Sequence, residues 1–258
     1  MLQQKEFDIL TAIEYAKKTM TQRGLAKETG YSIGTVNSTL LVLEEKGFVK
    51  NGTVTASGLS ALEPYRVKRI VFIAAGFGTR LVPITLNTPK PLVRVKGIRI
   101  IDTMLDAAVA AGIEEIIIVR GYLSEQFDQL LYKYPNIKFI ENPAYNEANN
   151  ISSAMCARYY FGNSYICEAD LIIHNPKMIS KYQYHSNYCG VKCDRTDDWC
   201  LYASKGRITG VSVGGTDGYR MVGISYWTEE DGRKLADCIQ KVYGMPGGKE
   251  KYWDNVPL

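Results

Sequence analysis

An apolar run at residues 70–74 leads straight into Ala74-Ala75-Gly76-Phe77-Gly78-Thr79-Arg80, and Pro83, Thr85 and Thr88-Pro89-Lys90-Pro91-Leu92-Val93 follow. A strand that ends in two closely spaced glycines brings bare backbone up to a ligand and aims its N–H groups at phosphate oxygens. Arg80 comes next and can fork onto β and γ phosphates. Lys90 can reach the α-phosphate region, where charge develops as pyrophosphate leaves. The third glycine of a dinucleotide fingerprint is missing, and no Gly-Lys-Ser/Thr completes a Walker loop.

The rest of that segment alternates. Strands are expected at 116–119, 137–140 and 165–167, with helices at 102–111, 124–132 and 151–159. Strand and helix in turn predict a three-layer α/β sheet of mainly parallel order. Beyond residue 188 the pattern shifts to closely spaced strands at 188–192, 199–203, 208–213 and 221–227, then a helix at 229–242. The strand at 165–167 runs into Glu168-Ala169-Asp170. Residues two apart on a strand point the same way, and ligands of open α/β sheets bind at strand carboxyl ends. A magnesium ion bridging phosphates needs such hard oxygen ligands, and Tyr252-Trp253-Asp254-Asn255 offers another carboxylate.

Residues 1–64 differ in kind. Phe7, Ile9, Leu10, Ile13 and Ala16 mark one face of a first helix. Leu25 and Ala26 lie on a second, ending at Gly30. Ser32 can cap a third that carries Val36, Leu40, Leu41 and Leu43, and Gly47 closes it. Asn51-Gly52 between Phe48-Val49 and Val54-Thr55 signals a type I′ hairpin. Helix, turn, helix, hairpin is the layout of a winged helix-turn-helix. Glu63-Pro64-Tyr65 marks a boundary, giving a small domain at 1–64 and a large one at 66–258. Lys5, Lys17, Lys18, Arg23, Lys27, Lys46 and Lys50 are matched by Glu6, Asp8, Glu14, Glu28, Glu44, Glu45 and Glu63, and residues 32–43 hold no basic side chain. DNA affinity rests on phosphate neutralisation, so DNA binding is disfavoured against docking, regulation or dimerisation.

The chain of 258 residues carries a net charge of +4, too mild to imply a polyanion. No apolar run is long enough to span a bilayer, and the first residues lack the layout of a signal peptide. Six irregularly spaced cysteines then read as free thiols in a reducing cytoplasm. His185, Cys189 and Cys193 share a spacing of four, but the same spacing puts them on one strand face and no fourth zinc ligand is evident.

The string A-A-G-x-G-T-R-L-x-P-x-T-x-x-x-P-K-P-L resembles the signature of the sugar-phosphate nucleotidyltransferases, the GT-A-like pyrophosphorylase superfamily. The resemblance implies a three-layer Rossmann-like fold, with the loop from Ala74, Ala75, Gly76, Phe77 and Gly78 to Thr79 wrapped around NTP phosphates. It makes Lys90 the family lysine and assigns Mg²⁺ to Asp170 and Asp254. Glu168 departs from the pattern, where aspartate is commoner, and is kept as an acceptor-contacting group. Val-Arg-Gly-Tyr at 119–122, the stretch 142–153, Thr-Asp-Asp-Trp-Cys-Leu at 196–201, Gly-Ile-Ser-Tyr-Trp at 223–227 and Tyr-Trp-Asp-Asn at 252–255 narrow it further. Over 68–258 the chain is similar to bacterial CTP:phosphocholine cytidylyltransferases.

That resemblance implies CTP and phosphocholine as substrates. A trimethylammonium head is held by aromatic faces and a carboxylate, so Trp199 and Trp253 are the expected cage walls, with Glu168 or Asp198 as the charge. Asn149, Asn150 and Ser152 are expected on the cytosine edge or ribose, with Tyr122 in the base pocket. The nearest rival acceptor is 2-aminoethylphosphonate or phosphoethanolamine, whose primary ammonium prefers carboxylates to a full cage. A rival of another class is a nucleotide-sensing DNA-binding regulator. Relatives continue past the position of Asn255, so a fused C-terminal domain is expected as an option, as is a homodimer.

Overall fold

The computed structural model describes residues 1–257 and separates into two compact units, Met1–Arg66 with Tyr182–Tyr184, and Val67–Lys181 with His185–Leu258.

The first unit starts with α1 (Gln4–Ala16), α2 (Gln22–Thr29) and α3 (Ile33–Glu45). The Thr21 and Ser32 hydroxyls accept the Gly24 and Thr35 backbone N–H groups and so satisfy free donors at the α2 and α3 starts. Gly30, at φ 75°, ends α2. Strands β1 (Val49–Lys50) and β2 (Thr53–Val54) form the wing. Asn51 and Gly52 both take positive φ, 52° and 71°, as a type I′ turn demands. A further helix, α4 (Ala56–Leu62), follows where a hairpin end was expected. Tyr182 and Tyr184 complete the core of this unit: Tyr184 stacks on Tyr65 at 5.2 Å and lies 5.2 Å from Phe7.

The second unit is a three-layer α/β domain. Strands β3 (Arg69–Ile73), β6 (Glu115–Arg120), β7 (Ile137–Glu141) and β8 (Ser164–Glu168) run parallel, and the small hairpin of β4 (Arg94–Val95) and β5 (Ile98–Arg99) and helix α5 (Asp102–Ala110) lie between β3 and β6 in the chain. The six-stranded order is β7-β6-β3-β8-β10-β9, with β9 (Asn187–Ser204) and β10 (Arg207–Trp227) antiparallel. Alternation along each central strand splits the interior in two. Ile70, Phe72, Ile116, Ile118, Tyr165 and Cys167 face a core shared with α5 residues Met104 and Leu105. Val71, Ile117, Val119 and Ile166 face one shared with α6 (Ile151–Ala157) and α7 (Glu229–Tyr243). Each fully buried side chain of this size contributes roughly 1.5–3 kcal/mol.

Two expectations are corrected. The region of 124–132 is a 3-10 helix, and the four short strands beyond 188 are two long ones. The polar and glycine-rich stretches that suggest turns, 194–198 and 214–218, are paired inside a bulged hairpin, with register shifts at Val213/Gly215 and Gly218/Tyr219. No helix among the described residues is long and apolar enough to cross a membrane. All six cysteines are free.

Candidate active site

Parallel pairing sets the site. Ile73 lies opposite Val119 on one side and Glu168 on the other, so the three strands deliver Ala74, residues 120–122 and residues 168–170 to one carboxyl edge. The Ala74 N–H donates to the Val119 carbonyl at 2.9 Å, and the Tyr122 N–H to the Ala75 carbonyl at 3.1 Å. Gly76, Phe77, Gly78 and Thr79 then leave the sheet. Gly78 has φ 67°, and a Cβ there would stand 3.1 Å from both Lys90 Cβ and Thr85 Cγ2. Thr85, 1% exposed, donates its hydroxyl to the Gly78 carbonyl at 2.9 Å and so ties the loop to the 84–86 turn. Arg80 is exposed and forms no ion pair among the described residues, so its guanidinium is available.

Lys90 crosses to Asp170, which its ammonium holds as an ion pair. Glu168, one strand step away, is raised to about 7 by burial first and by Asp170 and Asp254 second, against the pull of Lys90 and Arg80. Gly223 of β10 makes room for it: a Cβ there would meet Glu168 Cγ at 2.5 Å. Asp254, 5% exposed, is raised to about 6 by burial, although the Tyr188 hydroxyl donates to its Oδ1 at 3.1 Å. Two further carboxylates, Asp170 and Asp254, and two cations, Lys90 and Arg80, therefore act on Glu168 at the end of β8. Hard, partly desolvated oxygens suit Mg²⁺ in kind. Among the described residues no three of them stand as a finished chelate, and Asp170 is paired with Lys90.

Phe77, 41% exposed, is flanked by Tyr122 at 5.1 Å and Tyr145 at 5.4 Å. Tyr145 lies directly on Gly121, where a Cβ would be 2.6 Å from Tyr145 Cβ. The Tyr122 hydroxyl donates to the Thr85 and Leu86 carbonyls, both at 3.0 Å. Beside these rings opens a cavity of ≈ 470 Å³, lined among others by Tyr122, Glu141, Asn142 and Tyr145, within the usual volume of a small-ligand site.

Other expected residues lie elsewhere or are engaged. Ser152 is 2% exposed, donating to the Asn149 carbonyl and accepting from Asn142. The Asn149 amide donates to the Glu250 carbonyl at 3.2 Å, and the Asn150 Oδ1 accepts the Trp253 N–H at 2.9 Å. Ser152 is thus closed off inside the protein, while Asn149 and Asn150 are half-buried and tie the start of α6 to the segment around Trp253. Trp253 is 3% exposed and packs on Phe161 and Tyr188, so it is core where a cage wall was expected. Trp199 is half-buried on β9 and meets no other aromatic ring among the described residues, and Asp198 is turned back onto the Trp199 N–H. The aromatic group that does assemble near Asp254 is Tyr188 with Trp227 and Trp253. Tyr188 and Tyr145 escaped the sequence reading. The sole signal for Tyr145 is its place in the 142–153 stretch, and Tyr188 reads as an ordinary strand residue.

Residues 69–197 match the nucleotidyl transferase family, and residues 2–50 match a winged helix-turn-helix DNA-binding family. A 2-aminoethylphosphonate cytidylyltransferase of Lancefieldella rimae is 40% identical over 190 residues, covering 72% of this chain and 77% of that protein. A choline-phosphate cytidylyltransferase of Streptococcus pneumoniae is 34% identical over 190 residues, covering 73% and 82%. A solved CTP:phosphocholine cytidylyltransferase of the same organism superposes with a TM-score of 0.69 at 35% identity, over 74% of this chain and 83% of that one.

Proposed function

This chain belongs to the nucleotidyl transferase family, as a cytidylyltransferase with an added winged helix, and from that premise we propose that it transfers CMP from CTP to a small aminoalkyl phosphonate or phosphate. The observation that carries the reading is the convergence of Lys90, Asp170, Glu168 and Asp254 beside the glycine loop. An oxygen of the acceptor's phosphonate or phosphate attacks the α-phosphorus of CTP. That P–O bond forms as the bond to the β-phosphate breaks, and pyrophosphate leaves with the electron pair. The nucleophile is already an anion, so no general base is needed. Gly76, Gly78 and Thr79 offer backbone N–H groups to the triphosphate, and Arg80 pairs with its outer phosphates. Lys90 turns from Asp170 toward the α-phosphate, where charge accumulates in the transition state. Asp170 and Asp254 would hold Mg²⁺, which when bound would neutralise phosphate charge and orient the two reactants. Tyr122 and Tyr145 line the cavity proposed for cytosine, and Phe77 packs against both rings.

Between acceptors, a primary ammonium fits best, so 2-aminoethylphosphonate is the first reading. Glu168 offers a half-buried carboxylate while Trp199 and Trp253 form no ring pair, and carboxylates suit an N–H-bearing cation better than a trimethylammonium. The relative at 40% identity agrees. Phosphocholine is the second reading, supported by the relative at 34% and by the Tyr188–Trp227 group, which offers aromatic faces. Pyrophosphate release with Mg²⁺, crossing CTP, UTP, ATP and dTTP against 2-aminoethylphosphonate, phosphoethanolamine, phosphocholine and glucose 1-phosphate, tests both. Turnover confined to CTP with 2-aminoethylphosphonate supports the first reading. Preference for phosphocholine supports the second, and no turnover with any pair sinks both.

A further inference from the structure

Asp254 rides on a single 3-10 turn, Trp253–Asn255, outside every strand and α-helix. Such a turn has little rigidity of its own, so what fixes the carboxylate must come from its neighbours. The Asn150 Oδ1 accepts the Trp253 N–H, and the Asn149 N–H donates to the Lys249 carbonyl at 2.8 Å. The start of α6 thereby grips the terminal segment. The indole N–H of Trp253 is buried and finds no acceptor among the described residues, so that group anchors nothing. Its ring instead lies nearly flat against Tyr188, 6.3 Å between centroids at 19°. Trp227 meets Tyr188 edge-on, 5.8 Å away at 89°. The phenol is thus packed by two indoles, and its hydroxyl makes the one side-chain hydrogen bond that Asp254 receives among the described residues.

We propose that Tyr188 is a positioning residue for Asp254: its hydroxyl occupies Oδ1 and leaves Oδ2 presented to a divalent cation, while Asn150 locks the turn that carries the carboxylate. The inference rests on the reading of Asp254 as a metal-holding group. Pinning one carboxylate oxygen removes rotamer freedom before the ion arrives, and outer partners of this kind are worth about 10–100-fold in metal affinity. Tyr188→Phe keeps the ring packing and deletes the hydroxyl, together with its contacts to Asp254 and to the buried Ser225.

Free Mn²⁺, read from its EPR signal in full-length protein with CTP and corrected for protein-free CTP, gives the metal affinity directly. Tyr188→Phe is expected to weaken Mn²⁺ about tenfold and to raise the Mg²⁺ concentration for half-maximal pyrophosphate release by a similar factor. Its melting temperature should stay close to that of the unmodified chain. Asn150→Ala, which loosens the turn from the other side, should weaken Mn²⁺ in the same direction. An unmodified Mn²⁺ affinity in Tyr188→Phe overturns the inference and leaves the cytidylyltransferase reading standing. A purely structural role would lower the melting temperature without changing affinity per folded molecule, and that result also overturns it. If the unmodified chain takes up no Mn²⁺ with CTP, the metal role of Asp254 falls, and the inference falls with it.

Discussion

At the scale of single residues the site is a balance of charge. Lys90 is paired with Asp170 in the free protein, and the proposed reaction requires it to be freed for the α-phosphate when substrate arrives. Lys90→Ala is expected to lower kcat about a hundredfold or more, the usual cost of removing a group aimed at developing charge, measured as pyrophosphate release at saturating CTP. An unchanged rate would remove Lys90 from the chemistry. The other two carboxylates predict a pH dependence of stability. Glu168 and Asp254 titrate near 7 and 6 in the folded chain, above their ordinary 4.5 and 3.8. The unfolded chain therefore gives up these protons first as pH rises, and the folded state loses stability between about pH 4 and 7. In EDTA the melting temperature should fall from pH 5 to pH 8. Glu168→Gln, which cannot ionise, should flatten that fall, and CTP with Mg²⁺ should restore the lost stability at pH 8. A flat profile in the unmodified protein would count against the burial of Glu168. Gly223 belongs to the same balance, because Gly223→Ala pushes a methyl into Glu168. The expected result is a raised KM for the acceptor with little change in KM for CTP.

At the scale of elements, what the sequence reveals is what neighbours in the chain decide. The strands around 70, 117, 139 and 166 carry their own apolar runs, and the caps Thr21, Ser32 and Gly30 act within four residues. The turn at Asn51-Gly52 is equally local. Gly52→Val places a branched side chain at φ 71° and 2.7 Å from Thr19 Cγ2, and should destabilise the first unit by about 1–2 kcal/mol, read from its urea midpoint. A shift below half that would mean the wing is loosely packed. Helix α4 was hidden because Gly58 looks like a breaker. It is there because a Cβ would meet the Phe48 carbonyl at 2.3 Å, a long-range demand that local pattern does not carry. The long β9–β10 hairpin was hidden for a related reason: Arg195-Thr196 and Gly215-Thr216-Asp217-Gly218 resemble turn stretches until the bulged hairpin pairs Thr196 with Gly215, Arg195 with Thr216 and Cys193 with Gly218. The site divides the same way. The candidate loop that carries Gly76, Gly78, Arg80 and Lys90 is legible because it is one stretch of chain. Tyr188 and Asn150 are not, because their roles depend on where the segment around Asp254 comes to rest.

At the scale of the molecule, charge and packing make opposite kinds of demand on the first unit. Its balanced charges and the absence of any basic side chain on α3 leave little to neutralise a phosphate backbone. A gel shift with genomic fragments at about 0.1 M salt should therefore show no retarded complex, and a salt-sensitive one would revive the regulator reading. Packing, by contrast, makes three residues from beyond the large unit's central strands part of the small unit's core. The Tyr182 N–H donates to the Tyr15 hydroxyl at 3.1 Å, the Gln183 N–H to the Tyr65 carbonyl at 2.9 Å, and the Tyr184 hydroxyl to the Leu2 carbonyl at 2.8 Å. A chain cut to residues 67–258 would keep both faces of the sheet packed but strip every one of these partners away. Tyr182, now 3% exposed, and Tyr184 would become adjacent apolar surface, the kind of patch that drives association. Such a fragment should retain turnover per folded molecule yet elute as aggregates on size exclusion, and Tyr182→Ser with Tyr184→Ser should return it to a single species. If the fragment is already monodisperse, the tyrosines matter less than their burial implies. If the double substitution cures aggregation in the fragment but unfolds the first unit in the full chain, one tripeptide is doing for the small core what no residue within 1–66 can supply.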